Sequence, residues 1–278
     1  MATIDRTDIG FTQIKPQIGS IVHADKATLL SGKHAEAIYD MLEQRGVLVF
    51  PEIHFTDEEH IAFTATLGRF TPDLRGQDIY PISVDEGVNA TAEYLKGAFF
   101  WHFDGYMSPM PISASLLASK VLSPPGTGNT EFANTYAAYE ALSDADKQLV
   151  SGLRAIHTMA QSQLSHNSEP TYEKWREWMA IGRKELPLVW THKSGRKSLV
   201  LGNAAAAIIG MDPVESTDLL IRLRDFATRP EFTYSHEWKV GDLVMWDNTG
   251  TLHRATQYPL YCGRLLHRTK LEGDEPIA

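Results

Sequence analysis

A single cysteine, Cys262, stands in 278 residues. That excludes an intramolecular disulfide framework and any zinc site built from several thiolates, so the thiol reads as structural or incidental. Positive charge is also short: 26 Lys and Arg against 35 Asp and Glu leave a formal net charge of −9. Such a balance argues against nucleic acid or an anionic membrane as the main partner. It still admits a small anionic substrate, because the local potential of a pocket can oppose the net charge. No apolar run approaches the roughly 18 residues that span a bilayer, and there is no repeat or low-complexity tract. Residues 1–10 are polar and carry no secretory apolar stretch. A soluble, cytoplasmic protein is the expectation.

What is present is ordinary for a globular chain, with 43% hydrophobic and 22% charged residues. Leu29, Leu30, Ala35, Ile38, Tyr39 and Leu42 predict a helix over about 27–45, closed by Gly46. Val47-Leu48-Val49-Phe50 reads as a buried strand stopped by Pro51. Thr56 before Asp57-Glu58-Glu59 caps a helix that ends at Gly68. Residues 69–97, rich in Pro, Gly, Asp and Asn, read as a loop long enough to form a lid. A second lid-like segment, 160–186, carries Tyr172, Trp175, Trp178 and Met179, a stripe suited to packing that could also close over a pocket. Strands are expected at 111–121 and 153–159, two short helices around 136–142 and 144–151 with Ser143 as the N-cap between them, and a hairpin around Ser194-Gly195. A helix from Asp212-Pro213 to Ala227 precedes strands at 232–238, 242–246, 251–255 and 263–271. Many turn-bounded strands with helices early and late give one domain, mainly β with flanking helices, around a sandwich or jelly-roll core.

The chemistry gathers at Trp101-His102-Phe103-Asp104. In a strand, residues two apart share a face, so His102 and Asp104 would point together. They would supply two members of a 2-His-1-carboxylate site, the set that suits Fe(II) with open positions. Alone, such a pair reads far more readily as two surface polar residues. A third ligand must come from a distant strand, and His253, after the Asp247-Asn248-Thr249-Gly250 turn, is the best placed. His157, lone on an apolar strand, reads as a core residue. Fe(II) of this kind needs a co-substrate that delivers electrons to O2, most commonly 2-oxoglutarate, whose far carboxylate calls for a cation. Arg264 and Arg268 lie on the final strand, four apart and so on one face, and arginine meets a carboxylate with two parallel donors. By position alone they read equally well as exposed arginines of an edge strand.

These stretches resemble one family. Trp101 to Asp104, the block from Pro124 to Asn134 continuing through Ala137-Ala138-Tyr139-Glu140-Ala141-Leu142, and Val240 to Asn248 running on to His253 are similar to the TauD/TfdA family of Fe(II)/2-oxoglutarate dioxygenases. The likeness spans nearly the whole chain. It implies a double-stranded β-helix (jelly roll), with His102, Asp104 and His253 as iron ligands. It implies Arg264, eleven residues after His253, and Thr130 as the pair that takes the distal carboxylate of 2-oxoglutarate. Arg268 would then hold the acidic group of the primary substrate. O2, Fe(II) and 2-oxoglutarate would together hydroxylate a substrate C–H, releasing succinate and CO2. With Asp104 retained, no position is left for a halide. Phe103 departs from the small residue usual at the middle of the motif, which should alter packing rather than ligation. Ala98 departs from the taurine pattern, and the segment after Gly68 lacks its His and Tyr, so taurine is not the expected substrate. Phe99, Phe100 and Tyr106, with Met107 and Met110, suggest a bulkier acid with an apolar or aromatic body, such as an aryloxyalkanoate-like carboxylate. Desaturation, cyclisation or sulfonate oxidation would use the same ligands. A zinc hydrolase would leave Arg264 and Thr130 without a role. The family suggests a homodimer or homotetramer.

Overall fold

The computed structural model describes residues 9–72 and 76–278. The polar opening therefore falls largely on residues 1–8, outside the described ones, as do 73–75 within the first lid-like segment.

The chain is mainly β. Strands are numbered in chain order. The largest sheet runs β1 (Gly10–Gln13), β2 (Ser20–His23), β3 (Val47–Phe50), β13 (Leu243–Asp247), β5 (Ala114–Val121), β15 (Leu265–Leu271), β4 (Tyr80–Ile82). A smaller sheet places β6 (Thr130–Asn134) between β12 (Thr233–His236) and β14 (Thr251–Ala255). Two further pieces are β11 (Ala205–Ile208), β7 (Arg154–Thr158) and β8 (Arg183–Pro187), and the expected hairpin of β9 (Val189–Thr191) with β10 (Lys197–Leu199).

Alternation along β13 shows how the layers stack. Leu243 and Met245 point to the side covered by Ile38 and Leu42 of the helix Ala35–Arg45 and by Phe63 of the helix Asp57–Leu67. Val244 and Trp246 point the other way, against the small sheet, where Phe132 of β6 meets the Trp246 ring at 5.6 Å. Both faces are covered, which is why β3 and β13 read as unbroken apolar runs. Thr56 caps the Asp57–Leu67 helix in a capping box with Glu59, and Gly46 closes its neighbour in the left-handed region.

The structure departs from the pattern in four places. The helix expected over 27–45 is two, Lys26–Leu30 and Ala35–Arg45, because Gly32 turns left-handed (φ 69°) where it backs onto Thr66. The segment 69–97 holds β4 and a short helix, Ala92–Leu95, too brief to show a period. β11, from the run Ala205-Ala206-Ala207-Ile208, has little β-branching to announce it. Residues 102–104 are not in a regular strand: His102 makes a single bridge to His253.

Phe103 packs in the core cluster with Trp101 and Leu252, its ring 6.2 Å from that of His157. His157 is fully buried, and burial pushes its imidazole down to about 4. It thus folds neutral, while the unfolded chain takes a proton near pH 6.5. Its contribution to stability is complete above that pH and is lost as the pH falls toward 4. Replacing His157 with Leu should remove roughly 3 kcal/mol of the wild type's loss between those values. Guanidinium unfolding at stepped pH checks it, and equal acid slopes for the two proteins would count against it.

Candidate metal centre

Two pieces of main chain bring the three residues together. His102 N–H donates to His253 O at 3.0 Å and His253 N–H donates back to His102 O at 2.8 Å, so the 101–104 segment is tied to β14. The other end is held by Asn248, just past β13. Its side-chain oxygen accepts from Asp104 N–H at 2.9 Å, and its NH2 donates to Asp104 O at 2.9 Å and Ile112 O at 3.1 Å. Gly202 completes the fit, since a Cβ there would lie 3.2 Å from His102 Cα.

His102 Nε2 stands 3.9 Å from one oxygen of Asp104, and His253 Nε2 stands 3.7 Å from the other. One donor atom from each residue lies within 4.8 Å of the others. Donors that share an ion at about 2.1 Å sit about 3–4 Å apart, so small side-chain rotations close the site. Two imidazoles and one carboxylate are a set that suits Fe(II) and leaves positions open. His102 Nδ1 lies 2.9 Å from the Phe100 carbonyl, which can only accept. Nδ1 therefore carries the proton, and Nε2 turns its lone pair toward Asp104.

The electrostatics keep the donors in ligating form. Burial works to raise Asp104, but the Arg268 guanidinium overrides it and holds the carboxyl well below its ordinary range. Arg268 Nη1 donates to that carboxylate at 2.6 Å. Burial first, then the neighbouring His102, push His253 well below the usual imidazole value, so it stays neutral.

A cavity of about 1240 Å³ opens beside Asp104 and Arg268, with Tyr39, Tyr80, Met110 and Leu271 among its lining. β4 pairs with β15 so that Tyr80 sits opposite Arg268, and the guanidinium lies 5.2 Å from the Tyr80 ring centre. Arg264 does not share this cavity. It precedes β15, a register shift follows at Leu265, and its guanidinium turns to Gly128 O (3.0 Å) and the Tyr258 ring (4.6 Å). Thr130, on the segment that follows Gly128, is buried and accepts from the Trp238 indole N–H at 3.0 Å. Phe99 packs on Tyr258 at 5.3 Å. Phe100 lines a separate cavity of about 480 Å³ with Trp101 and Asn203. Tyr106 lies in the core against Phe103 and His157, where burial pushes its phenol up to about 12. The structure thus brings His102, Asp104, His253 and Arg268 together and leaves Phe99, Phe100 and Tyr106 outside the cavity that Asp104 lines.

Asn248 and Tyr80 escaped the sequence reading. Asn248 showed only as a turn residue, and Tyr80 lay in a stretch without period. Removing the Asn248 amide frees both main-chain groups of Asp104. Asn248→Ala should therefore weaken Mn(II) binding about 10–100-fold, as outer partners of metal ligands do. Calorimetric titration reads this, and wild-type affinity would refute the clamp.

A family model described as "Taurine catabolism dioxygenase TauD, TfdA family" matches residues 10–270. A (S)-phenoxypropionate/alpha-ketoglutarate-dioxygenase of Sphingobium herbicidovorans is 35% identical over 237 residues, covering 82% of each chain. An alpha-ketoglutarate-dependent 2,4-dichlorophenoxyacetate dioxygenase of a Burkholderia species is 33% identical over 274 residues, covering 92% of this chain and 91% of that one. Among solved structures, AAD-2 in complex with Mn(II) and N-oxalylglycine superposes with a TM-score of 0.82 at 33% identity, over 97% of this chain and 99% of that one. The extent of these matches, on a chain that gathers two histidines and an aspartate around one point, makes it a member of the TauD/TfdA family, an Fe(II)- and 2-oxoglutarate-dependent dioxygenase.

Proposed function

We propose that the chain hydroxylates an aryloxyalkanoate-like carboxylate. The observation that carries this is Arg268, a guanidinium set beside the metal-binding carboxylate in a cavity whose other walls include Tyr39, Tyr80, Met110 and Leu271. It offers an anion a fixed cation and gives an apolar body a surface next to the reacting centre. The relatives named for phenoxypropionate and 2,4-dichlorophenoxyacetate support the same substrate class.

In this reading His102 and His253 ligate through Nε2 and Asp104 through a carboxylate oxygen. Arg264 and Thr130 receive the distal carboxylate of 2-oxoglutarate. Bound Fe(II), with 2-oxoglutarate and O2, supplies the oxidant that replaces a substrate C–H with C–OH. The chain's own part is placement. Arg268 fixes the acid group, the cavity wall aligns the body, and the buried, neutral His253 keeps its lone pair for the metal. If the oxidised carbon bears an ether oxygen, the hemiacetal product collapses to a carbonyl compound and a phenol. The two facing sheets fit a double-stranded β-helix within a single catalytic domain. The two lid-like segments touch through Tyr94 and Glu177, as covers acting together would.

Relatives named alkylsulfatase and sulfate ester dioxygenase, each 29% identical, favour a second reading, since a guanidinium receives a sulfate as well as a carboxylate. Succinate release from 2-oxoglutarate with Fe(II) and ascorbate, measured against a panel of both classes, decides between them. Aryloxyalkanoates should stimulate most, and His102→Ala should abolish the stimulated release. Turnover surviving in His102→Ala, or stimulation by neutral compounds alone, would sink the proposal. Arg264→Gln should raise the KM for 2-oxoglutarate at least tenfold, the value of a charged hydrogen-bonded pair of about 1.5–3 kcal/mol. An unchanged KM would remove Arg264 from that role.

A further inference from the structure

We propose that Trp238 is a positioning residue for 2-oxoglutarate: its indole N–H occupies the oxygen of Thr130 and thereby commits the Thr130 hydroxyl to donate. This rests on the carboxylate-binding role given to Thr130 above. An indole N–H can only donate, whereas a threonine hydroxyl can donate or accept. With Trp238 Nε1 at 3.0 Å, Thr130 Oγ1 is the acceptor, and that is the one hydrogen bond it makes among the described residues. Its proton is left for another acceptor, and in a buried setting an anion is the strongest one available. Gly128, two residues before Thr130, carries the carbonyl on which the buried Arg264 rests. A carboxylate meeting the Thr130 proton would thus have a guanidinium close by.

The surroundings of Trp238 explain a buried polar group that the reaction does not otherwise use. Trp238 lies beyond the end of β12, so no ladder fixes it. His236 packs edge-on against its ring at 4.6 Å. Nε2 of His236 lies 3.1 Å from the Asp242 carboxylate, and Nδ1 lies 2.9 Å from the Tyr234 hydroxyl. Asp242 also accepts from the main-chain N–H of Lys239 at 2.9 Å and of Glu52 at 2.8 Å, which pins the turn after Trp238. A fixed turn fixes the indole, and a fixed indole fixes the rotor of Thr130.

The test is a double-mutant cycle on the Mn(II)-loaded protein, titrated calorimetrically with 2-oxoglutarate. Thr130→Ala and Trp238→Phe should each weaken binding about tenfold. The double variant should bind no more weakly than Thr130→Ala alone, and Mn(II) affinity should match wild type throughout. In turnover, Trp238→Phe should raise the KM for 2-oxoglutarate while kcat falls less than twofold. Wild-type affinity in Trp238→Phe, or losses that multiply in the double variant, would overturn the proposal, because Trp238 would then act by packing. Wild-type affinity in Thr130→Ala would instead refute the role given to Thr130. Should Trp238→Phe fail to fold, 3-benzothienylalanine at position 238 keeps the ring shape and removes the N–H. The same tenfold loss is expected there, and its absence is decisive against the donor.

Discussion

Two main-chain hydrogen bonds between His102 and His253 decide where everything else must be. Among the described residues they are the sole ladder contact of the 101–104 segment, yet they set two imidazoles side by side, ring centres 4.1 Å apart and planes tilted by 44°. Asp104 follows two residues on and is captured by Asn248, which β13 delivers from the opposite side. The apolar work of the fold serves this arrangement. Phe132 and Trp246 lock the small sheet onto the large one, and His253 lies on the strand paired with β6. The site is thus a product of sheet stacking more than of local conformation.

Charge is handled with the same economy. A net negative chain presents a cation, Arg268, beside the Asp104 carboxylate, and the guanidinium holds that carboxyl in its charged form. An anionic substrate would approach the same guanidinium. Under the proposed function, substrate recognition and the electrostatics of Asp104 share one side chain. Tyr80 lies across the strand pair from it, so the segment 69–97 and Arg268 meet in one strand pair.

Much of this was legible in the sequence, for physical reasons. The caps at Thr56, Ser143 and Asp212 and the C-terminal Gly46 are local devices, and they sit where the residue types put them. The triad was legible because two members are near neighbours and the third follows a recognisable turn. What stayed hidden depends on contacts between distant segments. Asn248 looks like any turn asparagine until Asp104 arrives beside it. The hydrophobic residues beside the motif, Phe99 and Phe100, suggested a substrate wall by nearness in sequence. The chain instead turns them toward Tyr258 and toward a second cavity. The break at Gly32 and the brief strand β4 carry too few residues to produce a period.

The acceptor that orients His102 is the carbonyl of Phe100, a main-chain atom. Any side chain at position 100 brings the same oxygen. Drift at that position can reshape the neighbouring cavity without turning the imidazole. Asp104 rests on side chains instead: the amide of Asn248 holds its main chain and Arg268 holds its carboxylate. The two residues of a single motif thus differ in what a substitution nearby can disturb: main chain supports the histidine, and two side chains support the aspartate.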